Sequence, residues 1–256
     1  MAATPRTVDL GDRRLTRIGL GTNRLAESAE NRAFLEAAVE AGVNFIDTAH
    51  VYVGGESERT IGSALPSFPK EVLVGTKGGY NGGGNDVLRA ELEQSFERLA
   101  VETIPLYYLH RVDPEVPIEE TMGLLKGYRD EGRITHIGLS EVSVDQIERA
   151  RSVVPIAAVQ NEYSLAERNH EEALEHCASE GIVFVPFFPL RRSSPAVAEI
   201  AARHDVTPTQ VKLAWLLRRA PVVAPIPGTL SREHLKENLA ALDIELSPED
   251  VQALSG

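Results

Sequence analysis

The chain has 256 residues and a formal net charge of −12, with 26 lysines and arginines against 38 aspartates and glutamates. Basic residues that are outnumbered and scattered argue against a nucleic-acid or membrane-surface partner, and no apolar run reaches the length of a membrane span. The single cysteine, Cys177, excludes an intrachain disulfide. The amino terminus lacks a secretory h-region, so we expect a cytoplasmic protein. The length suits one large domain, which we expect over residues 1–256.

Short apolar runs alternate with helical patterns along the chain. Around Gly11 and Asp12, an alternating segment predicts a β-hairpin. The runs that follow predict eight buried strands: RIGLG, NFIDTA, VLVGTK, PLYYLH, HIGLS, IAAVQN, IVFVPFF and VVAPIP. Apolar strands separated by helices indicate a parallel sheet covered on both faces, and eight such units predict closure. The predicted fold class is therefore α/β, a (β/α)8 barrel of the TIM type with an N-terminal β-hairpin.

The segments between these strands carry helical signals. One face of the segment after the third strand holds Leu88, Leu92, Phe96 and Leu99. Two later helices begin with capping-box patterns and a proline at the first helical position, TPTQ at 207–210 and SPED at 247–250.

Polar residues stand at the ends of successive strands, where a barrel of this kind builds its active site. The strand-end residues are Asp47, Lys77, His110, Ser140 with Glu141, and Gln160 with Asn161, and Tyr52 follows Asp47 in the next loop. Any one of them alone has a structural explanation, such as a solvated strand end. An Asp, a Tyr, a Lys and a His on three successive strands are harder to explain in that way.

These four residues form a coherent proton-donating unit. A free tyrosine has a pKa near 10, and the ammonium of Lys77 is expected to lower the pKa of Tyr52 while Asp47 keeps that ammonium charged. The imidazole of His110 can hold a substrate carbonyl oxygen by a hydrogen bond. None of the four can donate a hydride, so reduction of a carbonyl would require a cofactor.

Six segments in this order resemble the aldo-keto reductase superfamily, from about Arg17 to Leu254. They are NFIDTAHVYVGGESERTIGSAL, VGTKGG, YYLHRVDP, GRITHIGLSE, AAVQNEYSL and IPGTLSREHLKENLAAL. The resemblance implies a (β/α)8 barrel that reduces a small-molecule carbonyl substrate with NADPH and without a metal. It also implies that Tyr52 is the general acid, that Lys77 and Asp47 tune it, and that His110 orients the carbonyl.

The resemblance also implies a nicotinamide-nucleotide site. Gln160 and Ser140 match the residues that hold the carboxamide, although Glu141 replaces the usual asparagine. Phe187 replaces a tyrosine that stacks on the nicotinamide ring. The other implied contacts are Gly21, Thr22, Asn23, Asp47, Pro189, Leu190, Arg191 and Ile226, with Gly228, Thr229, His234, Glu237 and Asn238 at the adenosine phosphate.

Two features of this site depart from the family pattern. Arg191, Arg192, Ser193 and Ser194 replace a glycine-rich loop, and the arginines either bind the pyrophosphate or are solvated. Gly228 and His234 stand where the family often has a lysine and an arginine for the 2′-phosphate. Because hydroxyls and helix amides remain there, we expect NADP(H) to be preferred over NAD(H) by a modest margin.

Two other functions are open from the sequence. Lys77 at a strand end could form a Schiff base with a carbonyl substrate, as an aldolase does. Alternatively, the chain could bind the nucleotide as a non-catalytic redox sensor or regulatory subunit, for which Glu141 and the arginine segment give slight support.

Overall fold

The computed structural model of the protein describes residues 4–191 and 194–255. Its strands are β1 (Thr7–Leu10), β2 (Arg13–Thr16), β3 (Leu20–Gly21), β4 (Phe45–Asp47), β5 (Leu73–Gly78), β6 (Ile104–Leu109), β7 (Ile134–Ser140), β8 (Ala158–Gln160) and β9 (Val183–Phe184). Its helices are α1 (Ala29–Glu40), α2 (Glu56–Ala64), α3 (Gly84–Leu99), α4 (Ile118–Asp130), α5 (Val144–Arg151), α6 (Glu171–Glu180), α7 (Pro195–His204), α8 (Pro208–Arg219), α9 (Arg232–Ala240) and α10 (Pro248–Ser255). Short 3₁₀ turns cover Tyr52–Gly55 and Ala241–Asp243.

Strands β3 to β9 form one parallel sheet in chain order. The segment 222–228 closes this sheet into a barrel, because its carbonyls accept hydrogen bonds from both edges. Phe184 N bonds the carbonyl of Val222 at 3.0 Å on one side, and Gly19 N bonds the carbonyl of Pro225 at 3.0 Å on the other. Pro225 and Pro227 have no N–H to return to β3, so the eighth segment closes the barrel without a regular ladder.

The predicted hairpin is confirmed and covers the amino-terminal end of the barrel. β1 pairs antiparallel with β2, and Leu10 and Leu15 pack in one buried cluster with Phe45, Leu73 and Val183, which begin or nearly begin their strands. Among the described residues this end is therefore filled by apolar side chains, and the open end of the barrel is the carboxyl-terminal one.

Arg17 joins the hairpin to the closing segment, a role that the sequence pattern does not predict. Its guanidinium is fully buried and donates to the carbonyls of Val223 at 2.9 Å, Leu217 at 2.8 Å and Pro5 at 3.0 Å. Burial lowers the pKa of Arg17 to about 10, so the group stays charged at neutral pH and its donors are satisfied by carbonyls.

The predicted helical signals are confirmed. Leu88, Leu92, Phe96 and Leu99 are all buried on the inner face of α3. The capping box of α8 is complete, since Thr207 Oγ1 accepts from Gln210 N and Gln210 Oε1 accepts from Thr207 N. Ser247 and Asp250 exchange the same two bonds at the start of α10. In the part of the chain that the structure describes, no helix is long and apolar enough to cross a membrane.

Candidate active site

A cleft of about 900 Å³ lies at the carboxyl-terminal ends of the barrel strands. Strand ends and the loops after them form its wall, as the barrel geometry requires. The lining residues are Gly21, Thr22, Asn23, Arg24, Asp47, Val51, Tyr52, Val53, Tyr80, His110, Arg111, Ser140, Gln160, Phe187, Phe188, Pro189, Leu190, Arg191, Ile226, Pro227 and Gly228. Three of the four predicted catalytic residues are in this wall, and the fourth, Lys77, lies directly behind Asp47 and Tyr52.

Lys77 joins Asp47 to Tyr52. Its Nζ donates to Asp47 Oδ1 at 2.6 Å, to the carbonyl of Thr48 at 2.6 Å and to Tyr52 Oη at 3.3 Å. The three protons of the ammonium therefore have three acceptors. Lys77 is 0% exposed and Asp47 1% exposed, so this pair acts at low dielectric.

The titration of Tyr52 differs from the sequence-based expectation. Burial raises the pKa of Tyr52, Lys77 and Arg111 oppose that rise, and Asp47 adds to it, with the net result that the pKa is raised. Lys77 does lower the pKa, as expected from the sequence, but burial of the phenol and the charge of Asp47 outweigh it, so the pKa of Tyr52 lies above rather than below its ordinary value. Burial lowers the pKa of Lys77, but Asp47 and Tyr52 outweigh it, so Lys77 remains charged.

His110 is a neutral group at the cleft. It is 5% exposed, and its ring lies edge-on to Tyr52, with centroids 6.1 Å apart, and tilted against Tyr80 at 4.8 Å. Burial, followed by the charges of Lys77 and Arg111, lowers the pKa of His110 to about 2. Nδ1 of His110 is buried without a hydrogen-bond partner among the described residues. A neutral imidazole donates from one nitrogen only, so it can orient an oxygen acceptor without protonating it.

The loop that carries Tyr52 is held from behind by Arg98. Arg98 donates to the carbonyl of His50 at 3.0 Å and pairs with the buried Glu58 at 3.4 Å. Gly55 has φ +88°, and a Cβ there would lie 2.5 Å from Cζ of Arg98. The glycine is therefore required both for the left-handed turn and for the space that the guanidinium fills. Val53, also in the cleft wall, has φ +50°, a rare value for a β-branched residue.

A chain of buried hydroxyls joins the first two barrel loops beneath the cleft. Thr22 Oγ1 donates to the carbonyl of Asp47 at 2.7 Å and lies 2.8 Å from Ser57 Oγ, which lies 2.7 Å from Thr48 Oγ1. The predicted cofactor contact Thr22 thus has its hydroxyl committed to positioning Asp47.

Gln160 and Ser140 offer one acceptor and one donor side by side. Gln160 lines the cleft, and its Nε2 donates to Asp47 Oδ2 at 2.7 Å, so Oε1 is the acceptor that its amide has to offer a ligand. Ser140 Oγ accepts from Arg111 at 3.2 Å and keeps its own proton to donate. A primary carboxamide needs one acceptor and one donor, so this pair fits the carboxamide of a nicotinamide. Asn161 is unavailable for such contacts, since both ends of its amide bond Val142.

The structure divides the other predicted cofactor residues into two groups. Those in the cleft wall are Gly21, Asn23, Phe187, Pro189, Leu190, Arg191, Ile226 and Gly228. Those outside it are Glu141, Thr229, His234, Glu237 and Asn238. Of the second group, Glu141 accepts from Glu162 N at 2.7 Å, and Glu237 accepts from the hydroxyl of Thr207. The side chains of Glu141 and Glu237 therefore bond within the protein.

The amino terminus of α9 lies a short turn beyond Gly228, with Ser231 as its N-cap. Its N-cap Ser231 accepts from His234 N at 3.3 Å, and Thr229 accepts from Ser231 N at 3.0 Å. Helix amides at this end favour an anion. In the arginine segment, Arg191 pairs with Glu162 and lies 4.0 Å over the ring of Phe188, whereas Arg192 and Ser193 lie outside the described residues.

Sequence reasoning missed several cleft residues, above all Arg111 and Tyr80. Arg111 directly follows His110, and that adjacency is the signal that could have found it. The structure also assigns Cys177 to the core, where burial raises the pKa of its thiol to about 12 and makes it a poor nucleophile. Among residues 4–191 and 194–255, no cluster of three or more His, Cys, Asp and Glu side chains could hold a metal ion.

The sequence matches the family model described as the Aldo/keto reductase family over residues 17–256. The chain belongs to the aldo-keto reductase family. An uncharacterised oxidoreductase of Schizosaccharomyces pombe is 37% identical over 268 aligned residues, which cover 95% of this chain and 87% of that protein. The thermostable aldo-keto reductase Tm1743, solved with the inhibitor epalrestat, is 32% identical with a TM-score of 0.91, covering 97% of this chain and 98% of the other.

A second solved aldo-keto reductase, from Klebsiella pneumoniae in complex with NADPH, is 30% identical with a TM-score of 0.87, covering 99% of this chain and 94% of the other. Family membership confirms the resemblance and the barrel fold inferred from the sequence. As an aldo-keto reductase, the protein is an oxidoreductase.

Proposed function

We propose that this aldo-keto reductase reduces a small aldehyde or ketone to an alcohol, with Tyr52 as the proton donor and NADPH as the source of hydride. The observation that carries the proposal is the position of Lys77, whose ammonium lies 3.3 Å from Tyr52 Oη and 2.6 Å from Asp47 Oδ1 behind an open cleft. This arrangement suits a reaction in which a phenol gives up a proton and gains negative charge.

Tyr52 begins the reaction protonated, since its pKa is raised. When its proton passes to the carbonyl oxygen, the resulting phenolate lies beside the Lys77 ammonium, and the attraction between the two charges exists only once transfer has begun. Stabilisation that grows towards the transition state accelerates the chemical step. Asp47 holds Lys77 in place and prevents the buried ammonium from losing its charge.

His110 places the carbonyl oxygen within reach of Tyr52. Its depressed pKa keeps the ring neutral, so it donates a hydrogen bond to that oxygen and leaves the proton transfer to Tyr52. The edge-on contact between the two rings brings both groups to one region of the cleft.

The cleft has residues suited to hold the nucleotide. Gln160 and Ser140 match the carboxamide, Phe187 can stack on the ring, and the start of α9 beyond Gly228 favours a phosphate. Bound nicotinamide supplies the hydride that no side chain of the cleft can give. The Klebsiella relative was solved with NADPH, which favours the phosphorylated nucleotide for this chain as well.

The two other functions have less support from the geometry. A Schiff base needs a neutral amine with access to substrate. Lys77 is fully buried, has all three protons bonded and has a raised pKa, which disfavours the aldolase reading. A non-catalytic sensor would not need the joined set of Asp47, Lys77 and Tyr52.

The test is the consumption of NADPH in the presence of a panel of aldehydes and ketones, with the alcohol quantified in parallel. We expect one alcohol formed for each NADPH oxidised. Tight NADPH binding without turnover on any carbonyl would favour the sensor, and borohydride trapping of substrate on Lys77 would favour the aldolase.

A further inference from the structure

Arg111 brings a guanidinium into the cleft beside the proposed proton donor. It follows His110 at the end of β6, is partly buried, and donates to the carbonyl of His110 at 2.6 Å and to Ser140 Oγ at 3.2 Å. Its Cζ lies 5.4 Å from the ring centroid of Tyr80, whose ring contacts that of His110. Tyr80 and Arg111 both line the cleft, so the positive charge of Arg111 lies near the substrate carbonyl that His110 would orient.

This guanidinium has no carboxylate partner within ion-pair distance in the described part of the chain. Arg98, Arg133 and Arg219 each pair with a glutamate, whereas the buried Arg17 and the partly buried Arg168 each donate to two or more backbone carbonyls. Arg111 has neither arrangement, since one carbonyl and one hydroxyl are its acceptors. The chain carries an excess of 12 acidic charges, so a lack of acidic residues does not explain the difference. Both hydrogen bonds of Arg111 use Nη1, so among the described residues the other guanidinium donors remain for a ligand.

The carboxylates near Arg111 are engaged elsewhere. Asp47 forms the ion pair with Lys77. The charge of Arg111 contributes to the lowered pKa of Glu141, after burial and His170, but the Glu141 carboxylate accepts from Glu162 N and lies 3.6 Å from His170 Nε2. Asp113 accepts from Gly84 N at 3.0 Å and from Glu115 N at 2.9 Å.

The barrel order places Arg111 away from the expected phosphates of the nucleotide. β6 is separated from the closing segment 222–228 by three strands in either direction, so the two lie on opposite sides of the barrel. Gly228, the start of α9 and Arg191 belong to the far side. An anion at Arg111 would therefore belong to the carbonyl substrate.

A neighbouring hollow of about 550 Å³ restricts where the negative charge of the substrate can lie. It shares Tyr80 and Arg111 with the cleft, but Asp113 and Glu115 contribute carboxylates to its wall. Acidic side chains disfavour a second anionic group deeper in the hollow. The position favourable to a negative group is thus at Arg111 itself, next to the reacting carbonyl.

We propose that Arg111 binds an oxyanion, a carboxylate or a phosphate, carried by the carbonyl substrate, and so selects acidic aldehydes or ketones over neutral ones. Planar guanidinium matches both groups with two parallel hydrogen bonds. This proposal rests on the proposed reductase function and adds the substrate class to it.

The experiment compares kcat/KM for 4-formylbenzoate, 4-formylphenyl phosphate and the neutral methyl 4-formylbenzoate, with NADPH in excess. We expect the wild-type protein to prefer at least one anionic probe, and Arg111→Met to lower the ratio of anionic to neutral kcat/KM by about 10–100-fold, the usual worth of a charged hydrogen bond. Arg111→Lys should retain part of the preference, since it keeps the charge without the planar fork. Whichever anionic probe is preferred identifies the oxyanion.

Arg129→Met is the matched control, because Arg129 is an exposed arginine on α4 that does not line the cleft. It removes the same charge and should leave the ratio unchanged. A wild-type protein that does not prefer either anionic probe overturns the proposal without any variant. An equal loss on anionic and neutral probes in Arg111→Met also overturns it, since Arg111 would then act through Tyr52 or His110. Reduction of no carbonyl at all would instead reject the reductase function.

Discussion

Replacing Lys77 by methionine tests how the buried pair is held. The change leaves the Asp47 carboxylate, 1% exposed, with Gln160 as its remaining side-chain donor, at 2.7 Å. Removing one partner of a buried ion pair costs about 3–5 kcal/mol because the other charge stays buried. For a chain of this size each kcal/mol shifts Tm by about 2–4 °C, so we expect Tm to fall by about 6–20 °C.

The assay is thermal and urea unfolding, followed by circular dichroism and by the fluorescence of Trp215, the single tryptophan and fully buried. Lys126→Met is the matched control, because Lys126 pairs with Asp130 on the exposed face of α4, and its loss should cost less than about 0.5 kcal/mol. The double variant Lys77→Met with Asp47→Leu removes both charges and should recover about 1–3 kcal/mol relative to Lys77→Met alone.

Two results would refute this account of the pair. One is a Lys77→Met protein within about 1 kcal/mol of the wild type, which would mean that water or another group solvates Asp47. The other is a double variant no more stable than the single one, which would mean that the uncompensated charge is not the cause of the loss.

Three further outcomes are expected. Gly62→Ala should lower the free energy of unfolding by about 1–3 kcal/mol, since its Cβ would lie 2.6 Å from the carbonyl oxygen of Leu99. Gly123→Ala, whose Cβ would meet nothing within 4 Å, should raise it by about 0.5–1 kcal/mol, and equal unfolding midpoints for the two variants would contradict this. The kcat for carbonyl reduction should be flat from about pH 6 to about pH 8, because His110 is already neutral and Tyr52 still protonated, and an inflection near a pKa of about 6.5 would count against it. Titrated under the same conditions, NADPH should bind about 10-fold more tightly than NADH, and tighter NADH binding would be the opposite result.

The fold was readable from the sequence because parallel strands buried on both faces appear as short apolar runs. Even the closing segment was found as a run, VVAPIP, although its prolines prevent a regular ladder. The geometry of the barrel then placed Asp47, Tyr52 and His110 in one cleft and Lys77 behind two of them, since strand ends of a parallel barrel meet at one rim.

Other properties of the site depend on neighbours that the sequence does not reveal. The pKa of Tyr52 is decided by burial and by the sum of Lys77 and Asp47, and only the three-dimensional arrangement gives that balance. Glu141 and Glu237 matched cofactor positions by order along the chain, yet each bonds a partner from another segment. Arg111 carried no periodic signal, and its proposed role rests on its place in the cleft wall, which the three-dimensional structure reveals.

The most direct test of the central claim is the kcat of Tyr52→Phe on the best carbonyl substrate. The variant keeps the ring in the cleft wall and removes only the hydroxyl that Lys77 contacts. Tyr128→Phe is the control, because the hydroxyl of Tyr128 bonds Glu93 away from the cleft. We predict that Tyr52→Phe binds NADPH as the wild type does and loses about 10²–10⁴-fold in kcat, the worth of a positioned general acid, with near-normal kcat in the control. A Tyr52→Phe protein that retains near-normal kcat would contradict the account, because the proton would then come from another group.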